Sequence, residues 1–209
     1  MNAYTRLVGL GAPLLAASLA GYAFYELVLY PGAGLPTTDY AVIVAAANTL
    51  RVGHWLKFGY ALSLAMITVG LFPRIDARSP ALARLAALAG ACAVVLFLAS
   101  GQLGLRILAV AQATFAANPA EAIATILLRS VTIALLEAAT FATGCYALLV
   151  NVAALRWGFL PRAMALLGVA LGGLYAINIF LPDRLIVIAP LATIAWSIWL
   201  ALIARREAR

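Results

Sequence analysis

"ILLRSVTIALLEAATFATG", residues 126–144, is the stretch on which the fold turns. It is about as long as one bilayer span, roughly 20 apolar residues. Yet Arg129 and Glu137 stand in it among leucines, isoleucines and alanines. A soluble helix would place such charges on a polar face toward water. The rest of the chain offers no such face, because 66% of its 209 residues are hydrophobic and only 10% are charged. Soluble domains carry about 25% charged residues. With a mean hydropathy of +1.06, this chain cannot cover itself with a solvated surface and reads as an integral membrane protein.

Six spans fit the length with short loops, at about residues 6–30, 52–73, 81–106, 127–153, 162–181 and 184–204. The expected fold is all-α: a polytopic bundle of six transmembrane helices forming a single domain over residues 1–209. The first run, "YTRLVGLGAPLLAASLAGYA", begins like a signal peptide but continues through "FYELVLY" to Tyr30, beyond a typical signal core. "PGAGLPTTD", "PRIDARSP", "NPAE" and "LPDR" supply the breaks, through their Pro, Gly and helix-capping residues. Three apolar stretches, 40–72, 81–117 and 121–155, are too long for one crossing. At 1.5 Å per residue the first would reach about 50 Å, against a hydrocarbon core of about 30 Å. Either they tilt strongly or they project beyond the bilayer. In the second case residues 40–50 and 107–117 should pack on each other as an apolar pair.

The net charge of +7 does not point to nucleic acid, because the basic residues are scattered between apolar runs. Arg6, Arg74, Arg78, Arg84, Arg156, Arg162, Arg205, Arg206 and Arg209 mark one side, and Arg51, Lys57, Arg106, Arg129 and Arg184 the other. The positive-inside rule then puts both termini in the cytoplasm of a multi-pass protein. The abundance of alanine, arginine and leucine suggests the inner membrane of a bacterium.

Counting along the helices from the cytoplasmic arginines places the embedded polar residues in one layer toward the outer side. Lys57 lies about 25 Å above Arg74, and Glu137 about 25–28 Å above the inner end of its own span. Asn178, Ser100 and Gln102 fall near the same level, with Glu26, His54 and Arg106 slightly higher. Arg129 is about 12 Å above Glu137. Thr125, Arg129, Thr132, Thr140 and Thr143 share one side of their helix, with Glu137 about 60° beyond it. A lipid-facing glutamate is costly, so this side is expected to face the bundle interior. The expected ligand-binding residues are therefore Glu26, His54, Lys57, Gln102, Arg106, Arg129, Glu137 and Asn178. Structural roles compete with that reading. Arg129 can snorkel to the interface, Lys57 and Glu137 can form a register-fixing pair, and His54 with Tyr22, Tyr25, Tyr30, Tyr60 and Trp55 can form an interfacial belt.

Other chemistry is excluded by what the sequence lacks. It has one histidine, two cysteines (Cys92 and Cys145) and no CxxC, which removes a structural zinc site, a protein-ligated iron–sulfur cluster and bis-histidine haem. It has no Walker A, GxGxxG, GxSxG or HExxH pattern. No metal or cofactor is expected, and no catalytic residue can be named. "GVALG", Gly168–Gly172, is a GxxxG pattern that lets another helix approach closely, and in a six-helix bundle that helix is expected within the same chain.

Both ends of the chain also resemble a known family. Residues 141–181, "FATGCYALLVNVAALRWGFLPRAMALLGVALGGLYAINIFL", carry a span, a short R-x-G-x-L-P-R loop and a glycine-rich span. "IAWSIWLALIARR" closes the chain, and "TRLVGLGAPLLAASLAGY" opens it. This pattern is similar to the bacterial membrane family called domain of unknown function 4386. The resemblance implies a six-span fold and supplies no activity. Two functional classes stay open: a membrane protein binding a small or lipid-like ligand in an outward-facing polar cavity (transporter, sensor or intramembrane enzyme), and an accessory subunit packed on a membrane-protein partner.

Overall fold

The computed structural model describes residues 3–25, 28, 40–177 and 188–207. Glu26, Tyr30, Asn178, Arg184 and the "PGAGLPTTD" and "LPDR" breaks lie outside the described residues. The described elements are all helical: α1 (Ala3–Phe24), α2 (Tyr40–Ala45), α3 (Ala47–Asp76), α4 (Pro80–Thr114), α5 (Pro119–Leu127), α6 (Arg129–Trp157), α7 (Arg162–Ala176) and α8 (Ile188–Glu207).

Local chemistry sets several of these ends. Ser79 caps α4, its hydroxyl accepting from the Leu82 N–H at 3.4 Å, with Pro80 as the first helical residue. Asn118 does the same for α5, accepting from the Glu121 N–H at 3.3 Å ahead of Pro119. Proline suits that position because its missing N–H would have had no helical partner. Gly158 ends α6 with φ 69°, the left-handed conformation that glycine adopts without strain.

Six helices close into a ring in the order α1, α3, α4, α6, α7, α8, and α8 packs back on α1. Neighbours run antiparallel. Gly11 of α1 meets Ser63 and Met66 of α3, while Gly70, farther along α3, meets Tyr4 and Val8. At the opposite closure Gly9 lies against Ala204 of α8. Arg74 at the end of α3 forms a two-pronged ion pair with Glu207 at the end of α8. Ala3 and Glu207 therefore lie at the same end of the ring.

Burial separates an apolar inside from a largely apolar outside. Val8, Leu15, Ile67, Leu71, Val150, Met164 and Leu200 fill one core, while Leu62 (58% exposed), Leu88 (62%) and Val95 (62%) face outward. An apolar exterior over this length of bundle suits acyl chains and not water. α1, α3, α4 and the stretch Ile123–Trp157 are long and apolar enough to cross a membrane, and α7 is a shorter apolar helix.

The overlong stretches are broken as well as extended. Residues 40–76 divide at Ala46 into α2 and α3, and residues 119–157 divide at Leu128 into α5 and α6. α4 is continuous for 35 residues, about 52 Å. At the end of the ring away from Arg74, Ile43, Ala47 and Leu50 pack with Leu108, Ala111, Ile126 and Tyr25 in a second apolar cluster. The expected pairing of residues 40–50 with 107–117 is thus present, with α5 folded in beside it.

The internal partner expected for GxxxG is α6. A Cβ on Gly172 would stand 2.7 Å from the Leu148 nitrogen and 3.0 Å from the Gly144 carbonyl oxygen. One on Gly144 would stand 2.5 Å from the Ala176 nitrogen. Glycine at both positions brings two helix backbones into contact.

Candidate functional site: a cationic cavity at one end of the ring

Below the second apolar cluster lies a cavity of about 60 Å³ between α1, α3, α4 and α6. Its polar lining comes from Tyr22, Tyr25, His54, Lys57, Arg129 and Thr132, and its apolar walls include Leu50, Ile107, Ile126 and Leu136. Roughly 10–15 Å³ is needed per water, so the space admits a few waters or a head group of a few heavy atoms.

Lys57 is the centre of this arrangement. It is only 8% exposed, so its ammonium must find partners in the protein. Nζ donates to the Ser100 hydroxyl on α4 at 3.0 Å. Ser100 in turn donates to the Thr132 carbonyl on α6 at 2.8 Å, and the Thr132 hydroxyl donates to the Arg129 carbonyl at 2.6 Å. One chain of hydrogen bonds therefore ties three helices together at the level of the cavity. Lys57 Nζ also lies 3.4 Å from His54 Nδ1, one turn earlier on α3. An ammonium has no acceptor, so in this contact Nδ1 accepts and the ring proton sits on Nε2. The imidazole rests directly on the backbone of α4 at Gly104, where any Cβ would stand 2.0 Å from its Cε1. Tyr25 uses Gly53 similarly, its ring edge 2.8 Å from where a Cβ would be.

Of the eight residues expected at the site, the structure brings His54, Lys57 and Arg129 to the cavity. Gln102 and Arg106 are exposed on α4, and Glu137 is exposed on α6. Glu26 and Asn178 lie outside the described residues. The expected Lys57–Glu137 pair is therefore corrected: among the described residues Glu137 makes no ion pair, and the hydroxyl of Ser100 meets Lys57 instead. The reason is rotational. Thr132 and Thr143 are buried, which turns the threonine side of α6 inward. Glu137, five residues from Thr132, stands about 140° away from it.

Sequence reasoning noted Ser100 at the right depth and Thr132 on the right side, but did not name them as site residues. Gly104 was missed. Its position one turn beyond Gly101, on the face of α4 that His54 and Phe58 cover, was the available signal. Among the described residues no three His, Cys, Asp or Glu side chains come together as metal ligands.

Long apolar helices around a partly polar, cation-bearing cavity make this a multi-pass helical membrane protein. Within that class, the chain belongs to the family described as Domain of unknown function (DUF4386), whose model matches residues 10–203. No curated protein and no solved structure matches it. The family description carries no activity, so the functional reading rests on the cavity.

Proposed function

We propose that this chain is a bacterial inner-membrane protein that crosses the bilayer six times, with both ends in the cytoplasm. In this reading the cavity opens toward the outer side and binds a small or lipid-like ligand through an anionic or hydrogen-bond-accepting head group. The observation that carries the proposal is the convergence of Lys57, His54 and Arg129 from two helices on one cavity. An ammonium and a guanidinium give charge-assisted hydrogen bonds, the strong kind, to an anionic oxygen. The apolar walls suit the body attached to such a group. The excess of arginine on the Arg74–Arg206 side and the antiparallel ring support the orientation.

The test is thermal unfolding of the purified chain in a neutral detergent with added phosphatidylglycerol, phosphatidylcholine or inorganic phosphate. A saturable rise in midpoint with phosphatidylglycerol or phosphate, absent with phosphatidylcholine and lost in Lys57→Met and Arg129→Gln, is expected. Equal responses to all three additives, or responses that survive both substitutions, would sink the proposal.

A second reading, an accessory subunit, is favoured by Glu137. Its side chain is exposed one turn before Phe141, itself 47% exposed. On insertion scales a charged residue at the bilayer centre costs about 2.5–3.5 kcal/mol, which a cation on a partner helix would offset. That reading predicts a stoichiometric membrane partner that dissociates in Glu137→Gln.

A further inference from the structure

Four consecutive helices of the ring, α6, α7, α8 and α1, repeat one pattern at the Arg74–Glu207 end. Each sets an exposed arginine four residues from an exposed apolar side chain: Arg156 with Val152, Arg162 with Leu166, Arg206 with Leu202 and Arg6 with Leu10. Residues at that spacing are neighbours on one side of a helix. Val152 (49% exposed), Leu166 (52%), Leu202 (50%) and Leu10 (63%) face outward. The four arginines therefore stand on the bilayer-facing side of the ring, with apolar surface one turn deeper.

They also share one level. Across α6 and α7, Gly144 lies against Ala176, and Arg156 and Arg162 stand twelve and fourteen residues from that contact. Across α7 and α8, the Tyr175 and Thr193 hydroxyls are 2.9 Å apart, and Arg162 and Arg206 are each thirteen residues away. Across α8 and α1, Ala204 lies against Gly9, two residues from Arg206 and three from Arg6. At 1.5 Å per residue these offsets keep the four arginines within about 5 Å in height. The Arg156 guanidinium lies 5.8 Å from the centre of the Trp157 ring, and tryptophan is enriched where a bilayer meets water. Among the described residues none of the four arginines makes an ion pair, and Glu207, the acid beside them, is bound to Arg74 of α3.

We infer that this arc is a docking surface for an anionic phospholipid with two phosphates, of the diphosphatidylglycerol type. A guanidinium meets phosphate through two parallel N–H···O bonds, which an ammonium cannot form, and every cation at this end is an arginine. Packed helices lie about 8–10 Å apart, so arginines at one level on neighbouring helices can each take one of two bridged phosphates. The acyl chains then lie on Leu10, Val152, Leu166 and Leu202. A soluble polyanion would use the arginines and leave these side chains bare, so the two features together select a lipid. A lipid with one phosphate engages one position at a time, and a single exposed ion pair contributes little. Two linked phosphates engage the second position at high effective concentration. The surface requires only that the ring span a bilayer, and rests neither on the cationic cavity nor on the orientation.

The test is native mass spectrometry of the full chain in a neutral detergent, titrated with tetraoleoyl diphosphatidylglycerol, phosphatidylglycerol or phosphatidylcholine. The first lipid should add saturably, at least about tenfold more tightly than the second, and the third should bind weakest. Arg156→Gln with Arg162→Gln should weaken the first lipid about tenfold or more, at roughly 1 kcal/mol per arginine. Arg6→Gln with Arg206→Gln should repeat that loss on the other two helices, so the result does not hang on one variant folding. Arg51→Gln with Arg106→Gln, at the opposite end, and Lys57→Met, in the cavity, should leave the affinity unchanged. Equal affinity for the two anionic lipids, an affinity kept in both arc variants, or an equal loss in the far-end variant would overturn the inference. A loss confined to Lys57→Met would overturn it too, by moving the lipid to the cavity. Failure of the cavity proposal would leave the arc results standing.

Discussion

Ser100→Ala is the most informative single perturbation. Ser100 is fully buried, and its hydroxyl both accepts from Lys57 Nζ at 3.0 Å and donates to the Thr132 carbonyl at 2.8 Å. Hydrogen bonds between neutral side chains across membrane helices average about 0.6 kcal/mol. A bond to a charged group contributes more, about 1.5–3 kcal/mol. Thr132 O loses little, because it lies within a helix whose own N–H groups serve it. The expected cost of Ser100→Ala is therefore about 2 kcal/mol, nearly all of it from the buried ammonium. For a chain of this size that corresponds to a midpoint fall of roughly 4–8 °C. Ser63→Ala is the control. Ser63 is equally buried, but its hydroxyl only returns to the Tyr60 carbonyl of its own helix at 2.7 Å, so its loss should shift the midpoint by less than about 2 °C. The assay is heat unfolding of purified variants in one detergent, completed as a cycle with Lys57→Met. In the Lys57→Met background the cost of Ser100→Ala should drop by more than about 1 kcal/mol, well outside ordinary additivity error. An unchanged cost in that background would refute the assignment of Ser100 as the partner of Lys57.

Three further outcomes follow from the packing. Gly172→Ala should destabilise the chain by about 1–3 kcal/mol, because its Cβ meets backbone that cannot rotate away; Gly173→Ala, with nothing within 4 Å, should be neutral or stabilise by up to about 1 kcal/mol through helix propensity. The same unfolding assay reads both, and equal effects at the two glycines would contradict the α6–α7 contact. Arg74→Ala should cost no more than about 1 kcal/mol, since its pair with Glu207 is partly exposed, and that small loss should shrink further in high salt. Glu137→Gln should leave the unfolding midpoint of the isolated chain within about 0.5 kcal/mol of the parent, whereas a loss of several kcal/mol would put the carboxylate back inside the bundle.

What the sequence determined by itself was whatever depends on composition and on distance along a helix. A chain with 66% hydrophobic residues has one kind of solvent available to it. Rise per residue is a fixed length, so Lys57, Ser100 and the polar side of α6 could be assigned to a common depth before any contact was known. Capping residues at Ser79, Asn118 and Gly158 are equally local, because each acts on backbone groups within its own turn. Rotation about the helix axis was different. At 100° per residue, the side bearing Thr132 and the direction of Glu137 are separated by an angle that sequence alone cannot orient against a neighbour. Only the close approach of α4, with Ser100 reaching the Thr132 carbonyl, turned the threonines inward and Glu137 out. The breaks at Ala46 and Leu128 were hidden for a related reason. Neither site carries Pro or Gly, and the bends come with the packing of Ile43 and Ile126 onto Leu108 and Ala111. The small hollow lined by Tyr60, Tyr146, Asn151 and Trp196 was also beyond reach, because these residues meet only when α3, α6 and α8 close around the same space.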